Sequence, residues 1–357
     1  MKRTKRIGIV SGAPVNLAPY LTFYTSLAEQ SGREYIILNT ETSGVVFNPG
    51  RQVIFTYPYK AGLLHGVKRS IAGLRFVISN LVRFNCKRIV VSPTRTGLKL
   101  FLLLYLFMKD RYIFDIRDYT CESRPFRKWQ EDCLIKHSYL TVISSRGFME
   151  WVLPSAKVKV AHNIPLNAPM YGKAKNLVWP VTLGYVGLVA YPRENQALIQ
   201  QLKNDSRYNI VFFGEVSKTW NTKEYLELNR DISNVSFMGP YLNSQKAEIY
   251  TKVDMILCLY GAESPVTRTA LPNKLYDCAI YRKPIIVSTG TYLAEVVEEY
   301  GLGCSMDILK DDAKEVISEY IDTYDPAVFD TNCKKFLEDV LQDQEQIIAE
   351  VTEFFRL

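Results

Sequence analysis

Two cations stand at places in the chain where the backbone around them favours no positive charge. Lys274 follows Leu271 and Pro272 and opens a segment of helical spacing; Arg193 follows Pro192, six residues after Gly187, where the chain should again enter a helix. A helix N-terminus is itself partly positive, so a cation there asks for an anion to compensate it. A helix start reinforced by one or two cations is a means of neutralising a diphosphate, which carries about two negative charges. Arg193 and Lys274 are therefore the candidate diphosphate ligands, each with a solvated surface cation as the competing reading. Gly187 and Gly214 end strand-like runs, where a glycine either admits a ligand close to the backbone or simply makes a turn.

A second group lies in YIFDIRDYT, residues 112–120, where Asp115, Arg117 and Asp118 crowd the end of an apolar run. A carboxylate there can accept or position a hydroxyl proton, which makes Asp118 the candidate catalytic acid–base group, and Arg117 can hold a phosphate. An internal Arg–Asp ion pair is the competing reading. Gly12, in SGAPVNLAP, fits either close approach of a substrate or a strand-to-helix turn. That loop lacks Gly-x-Gly-x-x-Gly, which weakens any nicotinamide reading.

The elements that must position these residues are legible from periodicity. Short runs rich in Ile and Val alternate with longer segments of helical spacing, the pattern of parallel sheets with crossover helices. In the first half the predicted strands are 6–10, 35–38, 52–55, 88–91, 112–116, 140–143 and 158–160, with helices over 17–30, 63–84, 97–109, 127–136 and 145–152. The alternation breaks at 162–180, where three prolines supply linker chemistry. It restarts with strands at 182–187, 208–214, 235–239, 254–259 and 284–288. The helices there fall after Pro192 and at 223–229, 245–251, 271–281, 292–300 and 311–324, with a long helical tail over 332–355. The expected domains are 1–165 and 166–330, with 331–357 as a packing helix.

Composition narrows the classes. The 357 residues are 47% hydrophobic and 23% charged, with a mean hydropathy of -0.06, an ordinary globular balance. Residues 1–165 carry 25 Lys and Arg against 10 Asp and Glu, whereas residues 166–357 carry 19 against 27. A basic half favours a phosphate-bearing or anionic-lipid partner, and with no zinc finger or RNA-recognition signature a nucleic-acid partner is not expected. Seven scattered cysteines without a Cys-x-x-Cys pair read as reduced thiols. His65, His137 and His162 are too dispersed for a metal site. No metal or other cofactor is required. The apolar run from Leu98 to Met108 is about half of the roughly 20 residues a spanning helix requires, so a helix buried against a sheet is expected. The start of the chain does not read as a secretory signal, and a cytoplasmic protein is expected, with possible contact at the inner face of the membrane.

Four stretches then carry a resemblance. LPNKLYDCAIYRKPIIVSTGTYLAEVV (Leu271 to Val297), NVSFMGPY (Asn234 to Tyr241), LGYVGLVAYPRENQALIQQL (Leu183 to Leu202) and VISSRGFMEWVLPSAKVKVAHNIP (Val142 to Pro165) resemble, in that order, parts of the retaining GT-B glycosyltransferases of family four, the group 1 glycosyl transferases. The resemblance implies an α/β protein of GT-B fold, two Rossmann-like doubly wound parallel-sheet domains facing a cleft. It implies an acceptor-binding first domain and a nucleotide-sugar donor domain after it. The implied activity is transfer, with retention, from a nucleotide sugar to a lipid-linked or oligosaccharide acceptor in bacterial capsular or O-antigen polysaccharide synthesis.

By the same resemblance Asp277 stands where the family has a glutamate that binds the ribose hydroxyls, Gly187 and Gly214 line the nucleotide site, and Gly12 and Arg117 fall on the acceptor side. The sequence departs from the pattern at Thr269, where the first of the family's two acids is expected. Glu263, in YGAESPVTRTALP, is the nearest upstream acid and the candidate for that catalytic role. Two other classes remain open: a nucleotide-sugar epimerase of the same fold and a non-catalytic nucleotide-sugar-binding scaffold. The donor base, sugar, acceptor and linkage are not specified by these residues.

Overall fold

The computed structural model describes residues 6–12, 20–40, 51–55, 63–120, 122–164, 172–217 and 222–357, with backbone only at 63–65 and 222–224. Most of the loop after Gly12, the middle of the proline-rich stretch, Cys121 and the His65 side chain lie outside the described residues. The chain divides into two compact units, Met1–Leu166 with Gln342–Leu357, and Asn167–Leu341.

In chain order the first unit holds β1 (Arg6–Ser11), α1 (Tyr20–Gln30), β2 (Tyr35–Asn39), β3 (Gln52–Ile54), α2 (Leu63–Arg83), β4 (Cys86–Ser92), α3 (Thr94–Lys99), α4 (Phe101–Phe107), β5 (Tyr112–Ile116), α5 (Pro125–His137), β6 (Leu140–Ile143) and β7 (Val158–Val160). Its described strands form one parallel sheet in the order β3-β2-β1-β4-β5-β6-β7. Strands β2, β5 and β6 are buried at every position, as parallel strands covered on both faces must be. One face is sealed by Leu21, Tyr24 and Leu27 of α1 together with Ile347, Val351, Phe354 and Phe355 from the end of the chain.

The second unit runs through β8 (Val181–Val186), α6 (Pro192–Leu202), β9 (Tyr208–Phe213), α7 (Thr222–Leu228), β10 (Val235–Gly239), α8 (Lys246–Thr251), β11 (Met255–Cys258), α9 (Pro265–Thr269), α10 (Asn273–Tyr281), β12 (Ile285–Ser288), α11 (Tyr292–Tyr300), β13 (Gly303–Met306), α12 (Ala313–Thr323) and α13 (Pro326–Arg356), the last continuing into the first unit. Its sheet, also parallel, has the order β10-β9-β8-β11-β12-β13. In both sheets the strand order reverses beside the first strand, between β1 and β4 and between β8 and β11. Doubly wound sheets bind ligands outside the carboxyl ends of the strands at that point.

Three expectations are corrected. The run Leu98–Met108 is not one buried helix: it breaks at Leu100, whose N–H is shared between the Thr96 and Gly97 carbonyls at 3.1 and 3.0 Å. Leu98, Leu100, Phe101 and Leu104 face inward, but Leu102, Leu106 and Phe107 are each at least 60% exposed. The helix expected over 145–152 is a single 3-10 turn, Arg146–Glu150, whose first turn is capped by the Ser145 side chain. Strand β13 and helix α9 were not expected. No described helix is long and apolar enough to cross a membrane.

Candidate functional site

At the switch point of the second sheet, β8 and β11 lie side by side with Leu183 opposite Met255 and Gly184 opposite Ile256. Helix α10 delivers Lys274 there. Pro272 caps the helix and Lys274 is its second residue, as the spacing predicts. The side chain is not the solvated surface cation of the competing reading. It is 4% exposed, and its Nζ donates a hydrogen bond to the Leu257 carbonyl at 2.9 Å. The ammonium also lies 3.0 Å from the ring centroid of Tyr185 and 5.2 Å from that of Tyr260, so aromatic faces stand in for water. Burial pushes its pKa down to about 7, against the opposing pull of Cys258 and Asp277. Its stem runs beneath the Gly187 turn, where an added Cβ would sit 3.9 Å from Lys274 Cε.

The glycines have an internal reason for being glycine. Gly187 and Gly214 end the adjacent strands β8 and β9 with φ of +132° and +145°, a region that only glycine enters freely. A Cβ on Gly214 would fall 1.8 Å from the Gly187 carbonyl oxygen. The two strand ends therefore approach as closely as backbone allows, and the Gly187 N–H donates to Phe213 O at 2.9 Å.

Arg193 is the second residue of α6, after the left-handed Tyr191 cap and Pro192. It forms an ion pair with Glu263, and both side chains are largely exposed, at 58% and 74%. The candidate phosphate cation and the candidate catalytic acid are thus brought together, each being the other's partner. Thr269, the position expected of the missing acid, is buried, and its hydroxyl donates to the Pro265 carbonyl at 2.6 Å inside α9.

Asp277 follows Lys274 by three residues but does not pair with it. Its carboxylate accepts a hydrogen bond from the Tyr250 hydroxyl at 2.9 Å and meets Lys246 Nζ at 2.7 Å. Burial raises its pKa, and Lys246 opposes the rise. Lys246, Tyr250 and the stacked pair Tyr191–Tyr260, whose centroids are 4.2 Å apart, were missed by the sequence reasoning. Lys246 and Tyr250 lie one turn apart on α8, Tyr191 caps α6 and Tyr260 follows β11, and no local spacing signals that these elements meet at Asp277 and Lys274.

In the first unit the competing reading of Arg117 is the one that forms. Asp115 is fully buried and Arg117 nearly so, and Arg117 Nε lies 2.7 Å from Asp115 Oδ1. This is a charge contact, since the N–H does not aim at the oxygen. Arg117 Nη1 donates to the Ala161 carbonyl and to Asn163 Oδ1 at 3.3 and 3.2 Å, and the guanidinium stacks 4.9 Å from the Tyr20 ring. Its charge is already answered within the unit. Asp118, one residue on, is exposed. Crowding by the surrounding protein lifts its carboxyl above the ordinary range, against the pull of Arg117. Gly12 lies against α3: a Cβ there would meet Thr96 Oγ1 at 2.2 Å, so chain packing accounts for it.

Comparison with known proteins places this architecture. No family model matches the sequence, and no curated protein matches it. Among solved structures, sucrose-phosphate synthase from Thermosynechococcus elongatus superposes with a TM-score of 0.71 at 12% identity over 99% of this chain and 98% of its own. Anabaena HepE in complex with UDP and glucose gives 0.69 at 12% identity over 98% and 99%. The lipopolysaccharide outer core galactosyltransferase WaaB gives 0.68 at 12% identity over 99% and 100%. The chain has the GT-B fold that these glycosyltransferases share.

Proposed function

We propose that the protein is a glycosyltransferase whose second unit binds a nucleotide-sugar donor. The observation that carries this reading is Lys274, a buried cation at the switch point of that sheet, whose ammonium touches aromatic rings and a carbonyl and has no carboxylate in contact among the described residues, burial drawing its pKa down to about 7. A diphosphate at the Gly187 turn supplies the missing anion. Arg193 is the second ligand. Its pair with Glu263 is exposed, and such pairs contribute only about 0–1 kcal/mol, so a phosphate can replace the carboxylate at little cost. The two cations then stabilise the charge that gathers on the leaving diphosphate as the anomeric carbon–oxygen bond breaks. Asp277 is proposed for the ribose hydroxyls, with Lys246 and Tyr250 holding it in place. Glu263, once released by Arg193, is proposed for the sugar, and Asp118 for the acceptor hydroxyl.

The finer reading is transfer with retention onto a lipid-linked or oligosaccharide acceptor of a bacterial surface polysaccharide, capsule or O-antigen. HepE, crystallised with UDP and with UDP-glucose, and WaaB, a lipopolysaccharide galactosyltransferase, support the donor and acceptor classes. Helix α2 supports contact with an anionic bilayer. Val67, Ile71, Ile78 and Val82 share one face of it, all between 40% and 71% exposed, with Lys68 and Arg75 beside them, and from Thr42 to Lys109 the chain has no Asp or Glu. An apolar stripe with basic flanks is the form of an interfacial helix.

Isothermal calorimetry with a panel of nucleotide sugars tests the proposal. One donor should bind, and Lys274→Ala and Arg193→Ala should each weaken it by about 1.5–3 kcal/mol, the value of a charge-assisted hydrogen bond. A folded protein that binds neither nucleotide sugar nor free nucleoside diphosphate contradicts it.

A further inference from the structure

At the end of the first sheet opposite the switch-point edge, four adjacent strands each bring a cation to one small cavity. Arg6 opens β1, Arg33 precedes β2, Lys87 and Arg88 begin β4, and Arg111 precedes β5. With Ile7, Phe355 and Leu357 these five line a cavity of about 130 Å³. Among the described residues the carboxylate paired with this group is Glu34, 2.7 Å from Arg6. Arg33 and Arg111 each donate to a backbone carbonyl, those of Arg356 and Phe107. Arg88 lies over the Phe354 ring at 5.2 Å. Its pKa is lowered, first by burial and then, after an opposing contribution from Tyr139, by the charges of Arg111 and Arg33.

Like charges gathered round a concavity repel one another and focus a positive potential into it. Cations that cap the carbonyl end of a helix account for part of the arrangement, since Arg111 sits at the end of α4 and Arg33 at the end of α13. They do not account for Lys87 and Arg88, which start a strand and bond no helix end. The cavity falls below the range of about 300–1,000 Å³ in which whole small-molecule ligands are buried. It suits a single anionic group with several oxygens, which the planar forks of the lining arginines can share.

We propose that this foot of the first sheet is a phosphate-binding site, separate from the donor site of the second unit and not dependent on it. The phosphate comes either from a lipid headgroup or from a free phosphorylated solute, and the same cations recognise both.

Two probes distinguish the sources: calorimetric titration of the full chain with inorganic pyrophosphate, and flotation with vesicles of phosphatidylcholine mixed with phosphatidylglycerol against phosphatidylcholine alone. Lys87→Gln/Arg111→Gln changes two exposed residues and spares the packed Arg88; Lys203→Gln/Lys335→Gln removes the same charge from two exposed positions of the second unit; Arg193→Ala alters the donor site. The expected result is that at least one probe binds the wild type and loses tenfold or more in affinity with Lys87→Gln/Arg111→Gln. The loss with Lys203→Gln/Lys335→Gln should be smaller, and pyrophosphate binding should survive in Arg193→Ala. Vesicle binding alone assigns a lipid headgroup; pyrophosphate binding assigns a free phosphate. If neither probe binds, if both double variants lose equally, or if pyrophosphate binding disappears only in Arg193→Ala, the site does not exist.

Discussion

The carboxyl edges of the two sheets carry similar residues and treat them in opposite ways. At the end of β5, Arg117 and Asp115 are both buried and answer each other within the first unit, with Ala161 and Asn163 accepting from Arg117 Nη1. At the edge of β8 and β11, Lys274 is buried with no carboxylate in contact with its ammonium among the described residues, and Arg193 meets its acid in the open. A closed ion pair costs desolvation and serves architecture; a cation left among rings and carbonyls, or in an exchangeable surface pair, is available to a ligand. The chemistry-bearing residue type is the same in both places, and the partner decides the role.

The largest expected effects would break that contrast on its structural side. Arg117→Met leaves the Asp115 carboxylate buried and alone, and denaturant unfolding should register a loss of about 3–5 kcal/mol. Wild-type stability in that variant would mean Arg117 is free for a ligand after all. Gly214→Ala forces a side chain into φ +145° and onto the Gly187 carbonyl, and should cost about 3 kcal/mol or more from strain and overpacking together.

Lys274 sharpens the comparison through pH. Its folded pKa of about 7 lies below the ordinary 10.5, so between these values the unfolded chain holds a proton that the folded protein does not. Stability should therefore rise as pH increases from about 7 toward the unfolded value, after other groups are allowed for. Lys274→Met should flatten that component of the profile; an unchanged slope would mean the ammonium stays protonated and solvated. The smallest stability effect belongs to Arg193→Ala. Both ends of its pair are exposed, so thermal or denaturant unfolding should shift by no more than about 1 kcal/mol, while donor affinity falls.

The sheets were largely legible because buried parallel strands must be runs of Ile, Val and Phe. Strand β13, Gly303–Met306, escaped notice because GCSM has no such run, and α9 because five residues show no period. The break at Leu100 was hidden for a related reason: an unbroken run of leucine and phenylalanine looks the same whether a helix continues or turns. At the site, helix register was readable and side-chain direction was not. Pro272 announces where Lys274 sits, yet its inward turn depends on Tyr185 and Leu257, which the sequence leaves unconnected to it. Asp277 was found by resemblance, whereas its holders Lys246 and Tyr250, one turn apart on α8, meet it only in the folded unit.

The most direct test is to titrate UDP and UDP-glucose into the protein near pH 8, where Lys274 is mostly neutral, in buffers of different ionisation heat. If the diphosphate is bound by Lys274, binding takes up a proton and the apparent enthalpy varies with the buffer, and Lys274→Ala removes both the uptake and much of the affinity. Tight binding with no proton uptake, unchanged in Lys274→Ala, would contradict the assignment of Lys274 as the donor's cation.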